Sequence, residues 1–192
     1  MSQDTWLVAG LGNPGPGYTH HRHNIGQKVV DELAVRLGAN FKAHKARAQV
    51  AEGRLGIGGP RLVLAKPLTY MNLSGGPVAA LAKFYSVDPA HVIAVHDEID
   101  VDFGRVRVKL GGSENGHNGL RDISKAIATK AYPRVRVGVG RPPGRMEAAA
   151  FVLRDFSTAE KKELPFLIDD AADAVELLVT SGLEAAQERF AG

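Results

Sequence analysis

The chain has no cysteine among its 192 residues. Disulfide frameworks, thiolate nucleophiles and cysteine-type zinc sites are therefore excluded, and a reducing compartment is permitted. Aromatic residues make up only 6% of the chain, which leaves few rings for stacking bases on a pure RNA-binding module. No apolar segment approaches membrane-spanning length, and no basic region followed by an apolar h-region stands at the N-terminus. The expectation is a soluble protein with no membrane partner, working in the cytoplasm. An apolar fraction of 44% over this length suits one well-buried domain spanning residues 1–192. Neither an internal repeat nor a low-complexity linker divides it.

What is present is charge, unevenly spread. The net charge is only +3, yet from Arg36 to Lys66 seven Lys or Arg residues stand against the single acid Glu52. From Arg105 to Arg145 there are ten against two, Glu114 and Asp122, and from Glu147 onward ten acids outnumber four bases. Blocks of opposite sign on one domain point to a basic face for a polyanion and an acidic helical segment elsewhere. Ordinary solvated side chains on strands are the alternative.

The rest of the chain is organised around Trp6 to Gly26. Trp6 to Leu11 is a short apolar run closed by turn residues, which reads as a strand buried on both faces. The loop Gly12 to Gly17 follows, and then a helix with Ile25, Val29, Val30, Leu33 and Leu37 on one face, ended by Gly38. Asn24 fits the N-cap with Gln27 as its capping-box partner, which sets His23 just outside the helix, where the positive end of the dipole favours a neutral imidazole. Gly10, Gly12 and Gly15 formally match a dinucleotide fingerprint, but Pro14, Pro16 and Gly17 delay the helix too far.

Further elements follow the same logic. Residues 48–55 and 61–65 read as strands joined through Gly56 to Pro60, so the sheet is mixed. Met71 and Asn72 lie in the loop before a helix carrying Val78, Leu81, Ala82 and Tyr85. His91 to Val95 is a buried strand running into His96-Asp97-Glu98, and a carboxylate there needs a cation or a histidine beside it. Residues 106–109 read as a half-buried strand with basic side chains outward, Val135, Val137 and Val139 alternate with Arg134, Arg136 and Gly138 in a further strand, and a glycine-rich loop from Gly111 leads into a helix over 120–129. Ser157 and Glu160 form a capping box that opens a helical C-terminal segment with Leu167, Ile168, Ala171, Val175, Leu178 and Val179 as its stripe, interrupted at Gly182. The fold class is α/β, a twisted mixed sheet flanked by helices.

At the presumed strand ends stand Asn13, His23, Asn72, Asp97 and Asn118. A histidine with an orienting carboxylate is two-thirds of a catalytic triad, with the serine missing, because Gly111-Gly112-Ser113-Glu114 lacks the last glycine of a nucleophile elbow. Such a pair serves as a base for water, enough for an ester, while the amides fix substrate and oxyanion. Metal catalysis is the competing reading, since His20, His21, His23 and His96 are available, but their spacing is not that of a helical H-E-x-x-H site.

These motifs carry a resemblance. Gly10 to Gly15 with Tyr18, Arg22-His23-Asn24, Met71 to Gly75, His96-Asp97-Glu98 and Gly116 to Leu120 resemble, in order and spacing and over nearly the whole chain, those of bacterial peptidyl-tRNA hydrolases. The resemblance implies a single α/β domain acting as a monomer, with no metal and no cofactor. It implies peptidyl-tRNA as substrate, cleaved at the ester between peptide and terminal ribose, with contacts to the tRNA acceptor end. Within it His23 is the base, Asp97 its orienting partner, and Asn13, Tyr18, Met71, Asn72, His117 and Asn118 bind substrate. Lys109 and Arg136 correspond to a clamp on the tRNA 5′-phosphate. Asn115 departs from the glycine usual in relatives, which bears on how the loop before His117 moves; asparagine tolerates a left-handed backbone better than most residues.

Overall fold

The computed structural model describes residues 4–191. Seven strands form one sheet: β1 (Thr5–Gly10), β2 (Lys42–His44), β3 (Ala48–Arg54), β4 (Arg61–Pro67), β5 (Val92–Glu98), β6 (Val106–Leu110) and β7 (Pro133–Gly138). Their spatial order is β2-β3-β4-β1-β5-β7-β6. The inner strands β4, β1, β5 and β7 run parallel, and β3, β2 and β6 are antiparallel to their neighbours. The mixed sheet expected from the hairpin at residues 56–60 is thus present, while β2 is too short and polar to be read from its residues.

Alternation along the strands divides the core in two. Val8, Leu62, Leu64, Ile93 and Val95 pack with α1 (Ile25–Leu37), α5 (Thr158–Ser181) and α6 (Leu183–Arg189). Leu7, Ala9, Val63, Ala65 and Ala94 pack with α2 (Gly75–Phe84) and α3 (Asn118–Ala126) on the other face. Helices on both faces explain why β1 and β5 read as continuous apolar runs. No described helix is long and apolar enough to cross a membrane.

Local signals set several helix ends. Gly38 terminates α1 in the left-handed region, φ 64°, its N–H donating to Ala34 and Val35 carbonyls. The Ser157–Glu160 capping box opens α5 as expected, with bonds of 3.1 and 2.8 Å. Arg36, paired with Glu32 within α1, ties that helix to the acidic segment through Asp169, Asp173 and Glu176.

Three expectations are corrected. Asn24 makes no capping bond to α1, because its side chain is spent on Asn13; the capping box with Gln27 does not form. The third helix begins at Asn118 and ends at Ala126, two residues before and three before the expected bounds, with His117 as its N-cap. Arg134, counted in the block expected to form a basic face, is wholly buried, because the chain at 112–113 folds back over it and supplies the Gly112 and Ser113 carbonyls, with Lys130 O as a third acceptor. A short helix, α4 (Ala148–Val152), was not foreseen.

Two glycines bring the first helix unusually close to the sheet. A Cβ at Gly26 would lie 2.1 Å from the Val95 carbonyl oxygen, and one at Gly10 would lie 2.4 Å from the Gly26 carbonyl oxygen. The first turn of α1 therefore rests directly on β1 and β5. This carries the residues just before it to the carboxyl end of β5.

Candidate active site

The chain leaves β1 toward β4 on one side, whereas β5 flanks β1 on the other. At such a reversal the loops beyond the strands' carboxyl ends part and leave a crevice. A cavity of about 570 Å³ opens there. Asn13 comes to it from beyond β1, His23 from a 3-10 turn (Arg22–Asn24), and Met71 and Asn72 from another (Met71–Leu73) after β4. Asp97 and Glu98 end β5, and Asn115, His117 and Asn118 approach from the start of α3. Ala148, Ala149, Val152 and Leu153 make an apolar wall.

The centre of the crevice is one carboxylate shared by two imidazoles. His23 Nδ1 lies 2.8 and 3.0 Å from the two Asp97 oxygens, and His117 Nε2 lies 2.9 Å from Oδ1. The tautomers follow from the partners. His117 Nδ1 accepts the Leu120 N–H at 3.3 Å, so its proton sits on Nε2 and is donated to Asp97. His23 donates from Nδ1, which leaves Nε2, on the far side of the ring, as its basic nitrogen. The Asp97 side chain is 2% exposed and that of His23 15%, so the carboxylate is sequestered while the imidazole borders the cavity.

Electrostatics reinforce this division. Burial is the largest influence on Asp97 and opposes its ionisation, but the charges and hydrogen bonds of His23 and His117 together hold it well below the usual carboxylate range. Burial is likewise the largest influence on His23 and lowers its pKa; the Asp97 charge and hydrogen bond together outweigh it, so the net shift is upward. The dipole argument for a lowered histidine pKa at the helix entry is therefore overridden by a carboxylate in direct contact. The neighbouring His96 behaves oppositely: burial and then the charge of His117 push it down to about 3, and its Nδ1–H donates to the Asp97 carbonyl at 2.7 Å. It is a neutral core histidine.

The amides surround this pair. Asn13 Oδ1 accepts the Met71 N–H at 2.7 Å, which orients the side chain and leaves its Nδ2 as a donor. Asn24 holds the Asn13 backbone in turn, through bonds of 3.0 and 2.9 Å to its N–H and carbonyl. Asn72 and Asn118 are exposed at the cavity lining. Tyr18 is not among the lining residues; its ring meets that of Tyr70, which is, edge-on with centroids 6.2 Å apart. Asn115 occupies the left-handed region, φ 51°, and its Nδ2 donates to Glu98 Oε1 at 3.2 Å.

Lys109 and Arg136 lie outside the cavity lining. On the antiparallel pair β6–β7, Arg107 faces Arg136 and Lys109 faces Arg134, which gathers four cations on the face opposite the buried valines. Arg134 is buried under the loop and Arg107 donates to the Phe190 carbonyl. Lys109 bonds the Ser113 carbonyl, and Arg136 donates from Nε to Glu98. Burial first, and then the charges of Arg136 and Arg134, depress the Lys109 pKa; an anion lodged among them would relieve that repulsion.

His23, Asp97 and His117 offer donor atoms within 4.8 Å of one another, a set that could hold a metal ion. Here the positions between those atoms are filled by the Nδ1 and Nε2 protons of the two histidines, which an ion would have to displace. The sequence motifs brought His117 to the site without revealing that it shares Asp97; its place three residues before the Leu120 N–H is the one local hint, since that is where an N-cap acceptor belongs.

Fold and site together define a class: an α/β enzyme in which a histidine backed by a buried carboxylate opens onto a cavity rimmed by amides. The chain belongs to the peptidyl-tRNA hydrolase family, whose model matches residues 7–192. It is 73% identical to the peptidyl-tRNA hydrolase of Pseudarthrobacter chlorophenolicus over 97% of this chain and 95% of that protein. It is 61% identical to that of Frankia alni, over 96% and 93%. The crystal structure of peptidyl-tRNA hydrolase from Acinetobacter baumannii superposes with a TM-score of 0.89 at 36% identity, covering 97% of this chain and 94% of that one.

Proposed function

We propose that this protein, as a single-domain cytoplasmic monomer, hydrolyses the ester between the peptide and the 3′-terminal ribose of peptidyl-tRNA, releasing the tRNA for reuse. The observation that carries the reading is the His23 ring, with Nδ1–H bound to buried Asp97 and Nε2 left basic in a cavity bordered by amides. No serine or threonine is among the described residues lining that cavity, so water is the nucleophile the site can activate. His23 Nε2 takes a proton from water as the oxygen attacks the ester carbonyl, and Asp97 stabilises the imidazolium that forms. Asn13 Nδ2, with Asn72 and Asn118, donates to the oxyanion and positions the substrate. The tetrahedral intermediate then expels the ribose oxygen, which takes the proton back from His23. A free peptide carboxylate and an intact tRNA remain.

A single-turnover assay with a peptidyl-tRNA tests the reading against that of an RNA-binding module. Release of peptide at a rate far above the spontaneous one is expected; tight binding without cleavage would overturn it. Activity should also survive exhaustive chelation, because the protons of His23 and His117 occupy the positions between the candidate metal donors. Loss of activity with EDTA and recovery with zinc would restore the metal reading.

Lys109 and Arg136 act as the clamp on the 5′-phosphate in this proposal, Arg136 with its terminal nitrogens and Lys109 as a point charge. Replacing either by alanine should raise KM about tenfold for 5′-phosphorylated substrate with a smaller effect on kcat, the signature of lost uniform binding. The double variant should show a shallower salt dependence. If dephosphorylating the substrate weakens wild type and double variant equally, these residues do not read the phosphate.

A further inference from the structure

We infer that Arg22 and Glu160 form a positioning clamp that holds α4 against the site as the peptide-facing wall, so that this ion pair governs which peptides are accepted; the peptide assignment rests on the ester-hydrolysis reading above. Arg22 is the residue before the base, and its side chain turns away from the cavity into the protein. Its Nη2 bonds Glu160 Oε1 at 2.8 Å, with the arginine side chain only 7% exposed. Its Nη1 donates to the carbonyls of Phe151 and Arg154 at 3.3 and 3.4 Å, and the guanidinium carbon lies 3.9 Å from the centroid of the Phe151 ring. The Arg22 backbone N–H adds a bond to the Arg154 carbonyl at 3.0 Å.

Apart from the Glu160 bond, these contacts fall on the carboxyl end of α4 and the residue two beyond it. That helix has five residues, too few to persist alone, and Glu147 at its start provides no side-chain cap. Its terminal carbonyls need outside donors, and a cation at that end also suits the dipole. Arg22 supplies both. Glu160 is in turn held by the α5 capping box, accepting the Ser157 N–H at 2.8 Å with the same oxygen that meets Arg22. The chain of contacts therefore runs from the start of α5 through Arg22 to the back of α4, whose other side presents Ala148, Ala149 and Val152 to the cavity. An apolar wall suits the peptide's side chains better than its ester or the phosphates. His23 is fixed separately by Asp97, so loosening the wall should spare the chemistry.

The test uses the full chain with Arg22→Met, Arg22→Lys and Glu160→Gln. The last keeps a side chain able to cap α5 and accept from Arg22 but removes the counter-charge, so it reports even if Arg22→Met fails to fold. Amide hydrogen exchange at Phe151 and Arg154, measured without substrate, should accelerate about tenfold or more in the variants. KM should rise about tenfold for tRNA carrying a bulky apolar peptide and less than about twofold for N-acetylglycyl-tRNA, with kcat within about threefold and the pH profile unmoved. Arg22→Lys, which keeps the charge but not the fork, should fall between wild type and Arg22→Met. Unchanged exchange, equal rises in KM for both substrates, or a loss confined to kcat would each overturn the clamp. Absence of hydrolysis in the wild type would instead overturn the ester reading, and the exchange data would still decide whether Arg22 and Glu160 hold α4.

Discussion

His23→Ala is expected to slow single-turnover cleavage of peptidyl-tRNA by about a hundredfold to ten-thousandfold, the range that a positioned general base contributes. The loss should fall on the chemical step, because the imidazole touches the cavity while the backbone that carries it is held by other groups. The Arg22 backbone N–H anchors the turn to the Arg154 carbonyl, and Asn24 ties it to Asn13. Circular dichroism and tRNA affinity should therefore be close to wild type. Near-normal cleavage by a variant free of wild-type contamination would remove His23 from the role of base.

The second large effect concerns Asp97. In Asp97→Asn, one carboxamide oxygen must serve two imidazole donors, and the amide nitrogen brings a further donor into the same space. A rate loss of about a hundredfold or more is expected, as the imidazolium loses its counter-charge and the His23 tautomer is no longer enforced. The pH dependence gives an independent reading. In the wild type His23 titrates above its ordinary value of 6.5, and the base works only when neutral, so activity should climb with pH through a midpoint above 6.5. Without the Asp97 charge, burial is the main influence left and lowers that pKa, so the midpoint should move to lower pH even as the plateau falls. A midpoint that stays in place would mean that another group sets the profile.

Stability follows the opposite limb. Asp97 is depressed in the folded state, so its contribution is complete above the unfolded carboxylate value of about 3.9 and is lost as pH falls below it. The wild type should lose stability on that acid limb more steeply than Asp97→Asn, as measured by urea midpoints between pH 5 and pH 2.

Much of this was legible in the residues, and the exceptions share a cause. The buried runs of β1 and β5, the stop at Gly38 and the capping box at Ser157 are local signals, decided within a few residues, and each is present. The need of Asp97 for a histidine was legible too, because an unpaired buried carboxylate is costly. Asn24 was misread because its sequence position fits a cap, whereas its partner is Asn13, eleven residues back across a loop with no periodicity. Arg22 gave no sign of burial, since its partners lie 129 to 138 residues away. Arg134 follows the alternation of β7 faithfully; what buries it is a loop whose path no pattern encodes.

The contact of Gly26 with β5 reverses a common engineering rule. Replacing a helical glycine by alanine ordinarily stabilises a protein by restricting the unfolded chain, and a consensus or propensity filter would nominate Gly26 early. Here the added methyl group would sit 2.1 Å from a backbone oxygen that has no room to retreat into the sheet. The helix would have to lift, and the imidazole just ahead of it would be drawn off its carboxylate. A thermostabilisation programme that ranks substitutions by unfolding temperature alone would see an unexplained failure at this position. Gly26 is a spacer between scaffold and chemistry, and its smallness is what lets a helix start serve as the floor of the active site.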